Sequence, residues 1–226
     1  MNIAAIEKLS LLDYPKKLSG IVFTQGCNYD CFYCHNRSLI GWSQTHPSPN
    51  YKEFLTERVG KLEGIVISGG EPTLQRALLP FVRECKALGY LVKLDTNGSH
   101  PVHLKELLDD NLVDYVALDV KAVWSDYKWV CGAGGAWQAV NDSLELLKGS
   151  TLEWEVRTTL YPTMTLTDLA TISQQIGEVP LWRLNIYREP INYKEGDKFR
   201  IKAPSLQREE VAEWLKSYGG KVIISG

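Results

Sequence analysis

Three cysteines fall within eight residues, at Cys27, Cys31 and Cys34, in the pattern C-x3-C-x2-C. Thiolates are soft ligands that suit iron–sulfur clusters and zinc. A [4Fe-4S] cluster usually takes four protein thiolates, so a set of three leaves one iron open to another ligand. Structural zinc needs a fourth ligand; His35 directly follows Cys34 and reaches the same ion poorly, whereas Cys131 could come close. The spacing therefore predicts a cluster with one open iron, and a zinc-stabilised binding module remains the alternative.

Alternating strand and helix patterns must position these thiols. The predicted strands span 19–24, 64–68, 90–95, 113–119, 152–160 and 181–187, with a further strand at 221–225; the predicted helices span 49–61, 73–88, 102–110, 137–148, 167–176 and 206–218. Strand–helix alternation repeated about six times indicates parallel βα units. Because a full barrel needs eight units, six favour an α/β fold of the open, partial (β/α)6 TIM-like type, with a doubly wound flat sheet as the alternative. We expect residues 1–226 to form a single domain.

Unusual residues gather where the predicted strands end. The segment CNYDCFYC follows the first strand, SGGEP the second, DTNG the third and DVK the fourth. Arg157 lies late in the fifth strand, and Asn185 and Tyr187 lie late in the sixth. Ligands of parallel α/β sheets bind at the carboxyl ends of the strands. The sequence thus predicts one site, built from all of these segments, at that edge of the sheet.

Composition restricts the range of partners. The chain has 226 residues and a net charge of −2, so no global basic field favours nucleic acid or an anionic membrane. Neither a signal-peptide pattern nor an apolar stretch long enough to span a bilayer is evident. An odd number of cysteines, five, argues against a disulfide framework. We therefore expect a cytoplasmic protein with no nucleic-acid or membrane partner.

The motifs together resemble those of a known family. CNYDCFYCHN resembles the cluster loop of radical S-adenosylmethionine (SAM) enzymes, and CFYCHNR is especially similar to that of the activating enzymes of glycyl radical enzymes. SGGEP, DTNG and DVK are similar to the family's GGEP, DTNG and DVK or DLK motifs, and the resemblance covers most of the chain. It implies a partial barrel of the radical SAM type, with the three cysteines holding a [4Fe-4S] cluster. The amino and carboxylate groups of SAM would bind the fourth iron.

The resemblance also implies the residues of the SAM site. Tyr33 and the strand-six residues would lie near the adenine, the GGEP backbone near the amino group, and Lys121 and Arg157 near the carboxylate, with Asp119 beside a polar or monovalent-cation site. The full implied SAM set is Tyr33, Gly69, Gly70, Glu71, Asp95, Thr96, Asp119, Lys121, Arg157, Asn185 and Tyr187.

The activity implied by the resemblance is reductive cleavage of SAM, followed by hydrogen abstraction from a glycine of a glycyl radical enzyme. Flavodoxin or ferredoxin would supply the electron. The opening LSLLDYP…FTQGCNYDC is similar to activating proteins of anaerobic ribonucleoside-triphosphate reductase, which makes that reductase the expected protein substrate. The alternatives are activation of pyruvate formate-lyase or another glycyl radical enzyme, and a small-molecule radical SAM reaction such as that of 7-carboxy-7-deazaguanine synthase.

Overall fold

The computed structural model describes residues 1–43 and 47–226. The strands are β1 Ile3–Ser10, β2 Ser19–Thr24, β3 Gly64–Gly69, β4 Leu91–Thr96, β5 Tyr115–Asp119, β6 Glu153–Leu160, β7 Trp182–Ile186 and β8 Val222–Ser225. The helices are α1 Tyr51–Arg58, α2 Leu78–Ala87, α3 Pro101–Asp109, α4 Tyr127–Cys131, α5 Trp137–Lys148, α6 Leu166–Ile176, α7 Lys198–Ile201 and α8 Arg208–Leu215. Short 3-10 turns lie at Arg37–Leu39, Pro72–Leu74, Trp124–Asp126 and Glu195–Asp197.

All eight strands form one sheet in the order in which they occur along the chain. β1 pairs antiparallel with β2, and every later neighbouring pair is parallel. A doubly wound sheet reverses its strand order at a switch point, and this sheet does not. Strictly sequential order is the topology of a barrel wall, and β1 and β8 form its two open edges. The partial TIM-like barrel is therefore confirmed, and the flat-sheet alternative is wrong.

The two faces of the sheet differ in character. Outward-facing strand residues such as Val92, Leu118 and Val156 are fully buried in the main apolar core beneath the helices. A smaller apolar cluster of Tyr14, Ile21, Val66 and Tyr115 fills the inside of the barrel towards the amino ends of the strands. Tyr14 comes from the loop between β1 and β2, and its ring lies 6.0 Å from that of Tyr115. This cluster closes one end of the barrel interior, so that the site can lie only at the carboxyl ends of the strands.

Most predicted elements are confirmed within a few residues, including the seventh parallel strand at Val222–Ser225. The short helices α4 and α7 were not predicted, and two other features differ. The predicted 73–88 helix is a 3-10 turn at Pro72–Leu74 followed by α2, which begins only at Leu78. Pro80 explains the difference, because proline fits the first turn of a helix but not its interior. The antiparallel strand β1 was not predicted, since much of this edge strand is exposed and its sequence lacks a buried-strand pattern.

Candidate active site

A cavity of about 470 Å³ opens at the carboxyl ends of the strands. Its walls combine the loop after β2, the loop after β3, the ends of β4 to β7, and the chain's last two residues. Every residue of the predicted site lines it: Cys27, Tyr33, Cys31, Cys34, Gly69, Gly70, Glu71, Asp95, Thr96, Asp119, Lys121, Arg157, Asn185 and Tyr187. Segments separated by more than 150 positions in the sequence thus converge on one cavity.

The cysteine loop is held by backbone hydrogen bonds on both sides. Cys27 N–H donates to the Ile40 carbonyl (3.0 Å), and Asp30 N–H donates to the carbonyl of Cys131 on α4 (2.8 Å). Cys34 N–H donates to Cys31 O (3.1 Å), which makes a tight turn between the second and third thiols. The loop therefore presents its three thiols on a fixed backbone.

Burial sets the protonation of these thiols. Burial and, to a lesser extent, the nearby Glu71 carboxylate raise the pKa of Cys27 to about 12. Burial likewise raises the pKa of Cys34. Contact with the Cys131 thiol, together with burial, raises the pKa of Cys31. All five cysteines are free thiols. A metal centre bound here must therefore displace protons, as thiolate ligation in general requires.

Aromatic side chains pack around the loop. The Phe32 ring meets those of Tyr33, Trp129 and Tyr161 at centroid distances of 5.4, 5.5 and 5.7 Å. Tyr33 stacks on Tyr161, with ring planes 14° apart and centroids 5.3 Å apart. Arg200 lies over the Phe32 ring at 4.4 Å. This apolar shell shields the thiols from water on one side and leaves Tyr33 at the cavity wall. An apolar shell of this kind controls the access of solvent to a redox centre and so its potential.

Glu71 joins the loop after β3 to the end of β4. Its carboxylate is fully buried and accepts hydrogen bonds from Thr73 N (3.0 Å), Thr73 Oγ1 (2.6 Å), Thr96 Oγ1 (2.7 Å) and Asn97 N (2.6 Å). Burial raises the pKa of Glu71, although these donors act in the opposite direction. With its carboxylate fully engaged, Glu71 organises the cavity wall rather than projecting into it.

The two glycines before Glu71 are required by close backbone packing. Gly69 has φ +110°, which disfavours a side chain, and a Cβ there would lie 2.4 Å from Thr24 N. A Cβ on Gly70 would lie 2.1 Å from the Gly26 carbonyl oxygen. The sequence suggested that the glycines admit a ligand. The structure shows that the two glycines allow the backbone of Thr24 and Gly26, at the end of the neighbouring strand, to approach closely. The backbone of both glycines also borders the cavity.

Five charged side chains form a continuous row along the inner wall. Arg157 donates through Nε to Asp119 Oδ1 (2.8 Å) and through Nη1 to Asp95 Oδ2 (3.0 Å). Lys93 donates to the other oxygen of Asp95. Lys121 donates to the other oxygen of Asp119 at 3.1 Å. Three cations thus face two carboxylates, which leaves one positive charge in excess.

The pKa values of the row agree with this pairing. Burial raises the pKa of Asp95, but Arg157 and Lys93 outweigh burial and lower it to about 2. Burial acts in the same way on Asp119, and Arg157 and Lys121 likewise lower its pKa. Burial lowers the pKa of Lys121, but Asp119 raises it well above the ordinary lysine value. Asp95, Asp119 and Lys121 are therefore charged at neutral pH, and the surplus cation of the row suits an anionic group in the cavity.

The two residues predicted late in the sixth parallel strand, which is β7 in the structure, occupy the opposite wall. Asn185 is half-buried, and Tyr187 donates from Oη to the Ile201 carbonyl at 3.4 Å. Three contributors were not singled out from the sequence: Lys93, Asn97 and Ser68, whose hydroxyl donates to Asp95 at 3.1 Å. Lys93 carried a usable signal, because it stands two residues before Asp95 on one strand and therefore shares its face. Asn97 is harder to single out from the sequence, because Asn-Gly is a common turn sequence.

These residues fit the cofactors that the motifs imply. Three soft thiols border one wall of a cavity, a surplus cation borders another, and a stacked tyrosine borders the mouth.

Across residues 1–43 and 47–226, no group of three or more His, Cys, Asp or Glu side chains is arranged to hold a single metal ion. No helix of that part of the chain is long and apolar enough to cross a membrane.

Comparison with known proteins identifies the family. Residues 21–176 match the model of the radical SAM superfamily. The chain belongs to the radical SAM superfamily. A protein of Methanocaldococcus jannaschii that bears the name glycyl-radical enzyme activating enzyme is 33% identical over 230 residues, covering 98% of this chain and 95% of the relative. The pyruvate formate-lyase-activating enzyme of Clostridium pasteurianum is 30% identical over 174 residues, covering 73% of this chain and 70% of the relative. This radical SAM protein thus falls within the family of glycyl-radical enzyme activating enzymes.

Solved structures of low sequence identity share the fold. The anSMEcpe structure with bound AdoMet matches with a TM-score of 0.64 at 18% identity, covering 88% of this chain and 61% of that one. The structure of Streptococcus suis SuiB bound to its precursor peptide SuiA matches with a TM-score of 0.66 at 14% identity, covering 91% and 48%. This radical SAM chain spans about half to three fifths of those structures. The cofactors of its superfamily are a [4Fe-4S] cluster and SAM.

Proposed function

We propose that this radical SAM protein abstracts a hydrogen atom from a glycine of anaerobic ribonucleoside-triphosphate reductase and thereby activates that enzyme. The observation that carries the proposal is the convergence of three thiols and a charge row with a surplus cation on one cavity. Bound together, the cluster and SAM supply one-electron cleavage of SAM and the radical chemistry that follows. The protein's own residues bind, orient and shield.

Each wall of the cavity has a task in this proposal. Cys27, Cys31 and Cys34 would hold the cluster, and three thiolates would leave one iron open to SAM. Lys121 lies at the end of the charge row, 18% exposed, and neutralises the SAM carboxylate. Arg157 keeps both acidic side chains of the row in place. The proposal includes no monovalent cation, because Lys121 and Arg157 already neutralise Asp119.

The remaining walls hold the nucleoside and amino group. The backbone of Gly69 and Gly70 borders the cavity where the SAM amino group would lie. Tyr33, held by its stack on Tyr161, would contact the adenine from one side. Asn185 and Tyr187 border the opposite wall and would complete the adenine pocket.

A protein substrate fits the open barrel. β1 and β8 stand at the two ends of the sheet and are not neighbours in it, so the described strands do not close into a full barrel. An extended glycine loop can enter through such an opening, whereas a closed barrel interior is filled by side chains. A one-electron donor, flavodoxin or ferredoxin, completes the set of partners. The cytoplasm is the compartment that we propose, because all five thiols are free and thiols stay reduced there.

The second candidate is activation of pyruvate formate-lyase, which is favoured by the similarity to the clostridial activating enzyme.

The experiment that separates the two candidates is carried out under anaerobic conditions. The reconstituted protein, SAM and a reductant are mixed with the reductase or, separately, with the lyase, and glycyl radical is measured by electron paramagnetic resonance. The proposal expects radical on the reductase and none with Cys31→Ala. Radical on the lyase alone would establish the second candidate. SAM cleavage without radical on either enzyme would point to a different substrate.

A further inference from the structure

Asn97 is the third residue of the DTNG motif and directly follows β4, and its side chain is fixed in place. It is only 4% exposed. Its backbone N–H donates to Glu71 Oε2 at 2.6 Å, and its Oδ1 accepts from the backbone N–H of Ser99 at 2.9 Å. Because the side-chain oxygen is engaged in that turn, the amide nitrogen Nδ2 must face the other way. It faces the cysteine loop.

Two acceptors on that loop lie within reach of Nδ2. The Asn28 side-chain oxygen is 3.0 Å away, and the Cys27 sulfur is 3.9 Å away. Nδ2 carries two hydrogens and can serve both acceptors. A second donor reaches the same sulfur, since Tyr29 N–H lies 3.4 Å from Cys27 Sγ. Two N–H groups of the protein therefore lie within hydrogen-bond distance of the Cys27 sulfur, inside a largely buried site.

We propose that Asn97 is a positioning residue that sets the reduction potential of the cluster, through donation of its side-chain N–H to the Cys27 sulfur. The proposal rests on the cluster assignment made above. Hydrogen bonds to ligand sulfurs are among the factors that tune cluster potentials. Reduction by one electron, taken from the one-electron donor, places more negative charge on the sulfurs, and an N–H dipole stabilises that charge. No bond to Asn97 forms or breaks.

The test replaces Asn97 with leucine, which has a similar size and no donor. The matched control is Asn141→Leu, on the outward helix α5. Reconstituted proteins without SAM are titrated against potential and followed by electron paramagnetic resonance, with iron and sulfide measured on the same samples. The N97L variant is expected to hold wild-type iron and to show a reduced-to-oxidised ratio about ten-fold lower at a fixed potential. For a one-electron couple this corresponds to about 59 mV.

Several outcomes separate the alternatives. An unchanged midpoint in N97L at full iron content would overturn the role of Asn97 and leave the proposed function intact. If N97L assembles no cluster, the wild-type protein and a variant with both Asn28→Leu and Asn36→Leu, each labelled with ¹⁵N-asparagine, are measured by electron–nuclear double resonance. The second substitution removes the labelled backbone nitrogen of Asn36, which donates to the Cys34 thiol. A ¹⁵N coupling that persists in the double variant supports the proposal, and its absence contradicts it. A wild-type protein that takes up no iron–sulfur cluster would overturn the proposed function itself.

Discussion

Replacing Arg157 with leucine should destabilise the protein by about 3–5 kcal/mol, the usual cost of removing one partner from a buried ion pair. The structure supports this range in two ways. Arg157 is 19% exposed and is the only member of the charge row that bridges both carboxylates. The pKa of Asp95, about 2 against about 3.9 in an unfolded chain, corresponds to about 2–3 kcal/mol for that carboxylate, to which Arg157 and Lys93 both contribute.

The assay is thermal unfolding of the metal-free protein under anaerobic conditions, followed by circular dichroism. In a chain of this length, 1 kcal/mol shifts the midpoint by about 2–4 °C, so R157L should unfold about 6–20 °C below wild type. Arg83→Leu is the matched control. Arg83 also pairs with an aspartate, at 2.7 Å, but the two side chains are 57% and 49% exposed. An exposed pair contributes about 0–1 kcal/mol, so R83L should shift the midpoint by no more than about 4 °C.

The pH dependence provides an independent check. Because the folded pKa of Asp95 lies below its unfolded value, its stabilising contribution is fully present above about pH 4. It is lost as pH falls through about 2. Without Arg157 that acid-induced loss should begin from a smaller stability and be shallower. The reasoning about the charge row is refuted if R157L and R83L unfold at the same temperature, or if R157L keeps the wild-type acid profile.

Three further substitutions test the site. Lys121→Ala should weaken SAM binding about ten-fold or more, measured by isothermal titration calorimetry, while iron content stays unchanged; unchanged affinity contradicts its role. Cys31→Ala should abolish cluster assembly, measured as iron and sulfide per chain, whereas Cys85→Ala, buried in α2 away from the cavity, should assemble normally. Gly70→Ala should cost about 1–3 kcal/mol through backbone overpacking, and Gly41→Ala, with open space around its Cβ, should be neutral in the same thermal assay.

The fold could be predicted from the sequence where the local pattern and the tertiary demand agree. Parallel strands such as Ser19–Thr24 are short apolar runs because both faces of the sheet are covered, and the structure has that strand at the predicted bounds. Strand β1 could not be found this way, because it lies at an open edge and carries exposed charges at Glu7 and Lys8. The choice between barrel and flat sheet depended on strand order, which no local pattern encodes.

The site shows the same division. The position of each motif at a strand end was sufficient to predict which residues meet at the cavity, because parallel strands bring their carboxyl ends to one edge. How those residues act on one another was not predictable. Glu71 bonds to Thr96 and Asn97, 25 and 26 positions away, and such contacts depend on side-chain geometry across neighbouring loops. The sequence located Arg157 in the site, but only the structure shows that it bridges Asp95 and Asp119.

The charge row joins stability to ligand binding. Two carboxylates buried beside three cations are stable because each negative charge is neutralised from both sides, and the row as a whole keeps one positive charge in excess. Lys121 stands at the end of the row that is nearest the thiols electrostatically, since Cys31 and Tyr33 act on its pKa. An anionic group placed between Lys121 and the thiols would balance the row three to three. We therefore expect the carboxylate of a bound ligand to lie beside Lys121, on the side of the cavity that faces the cysteine loop.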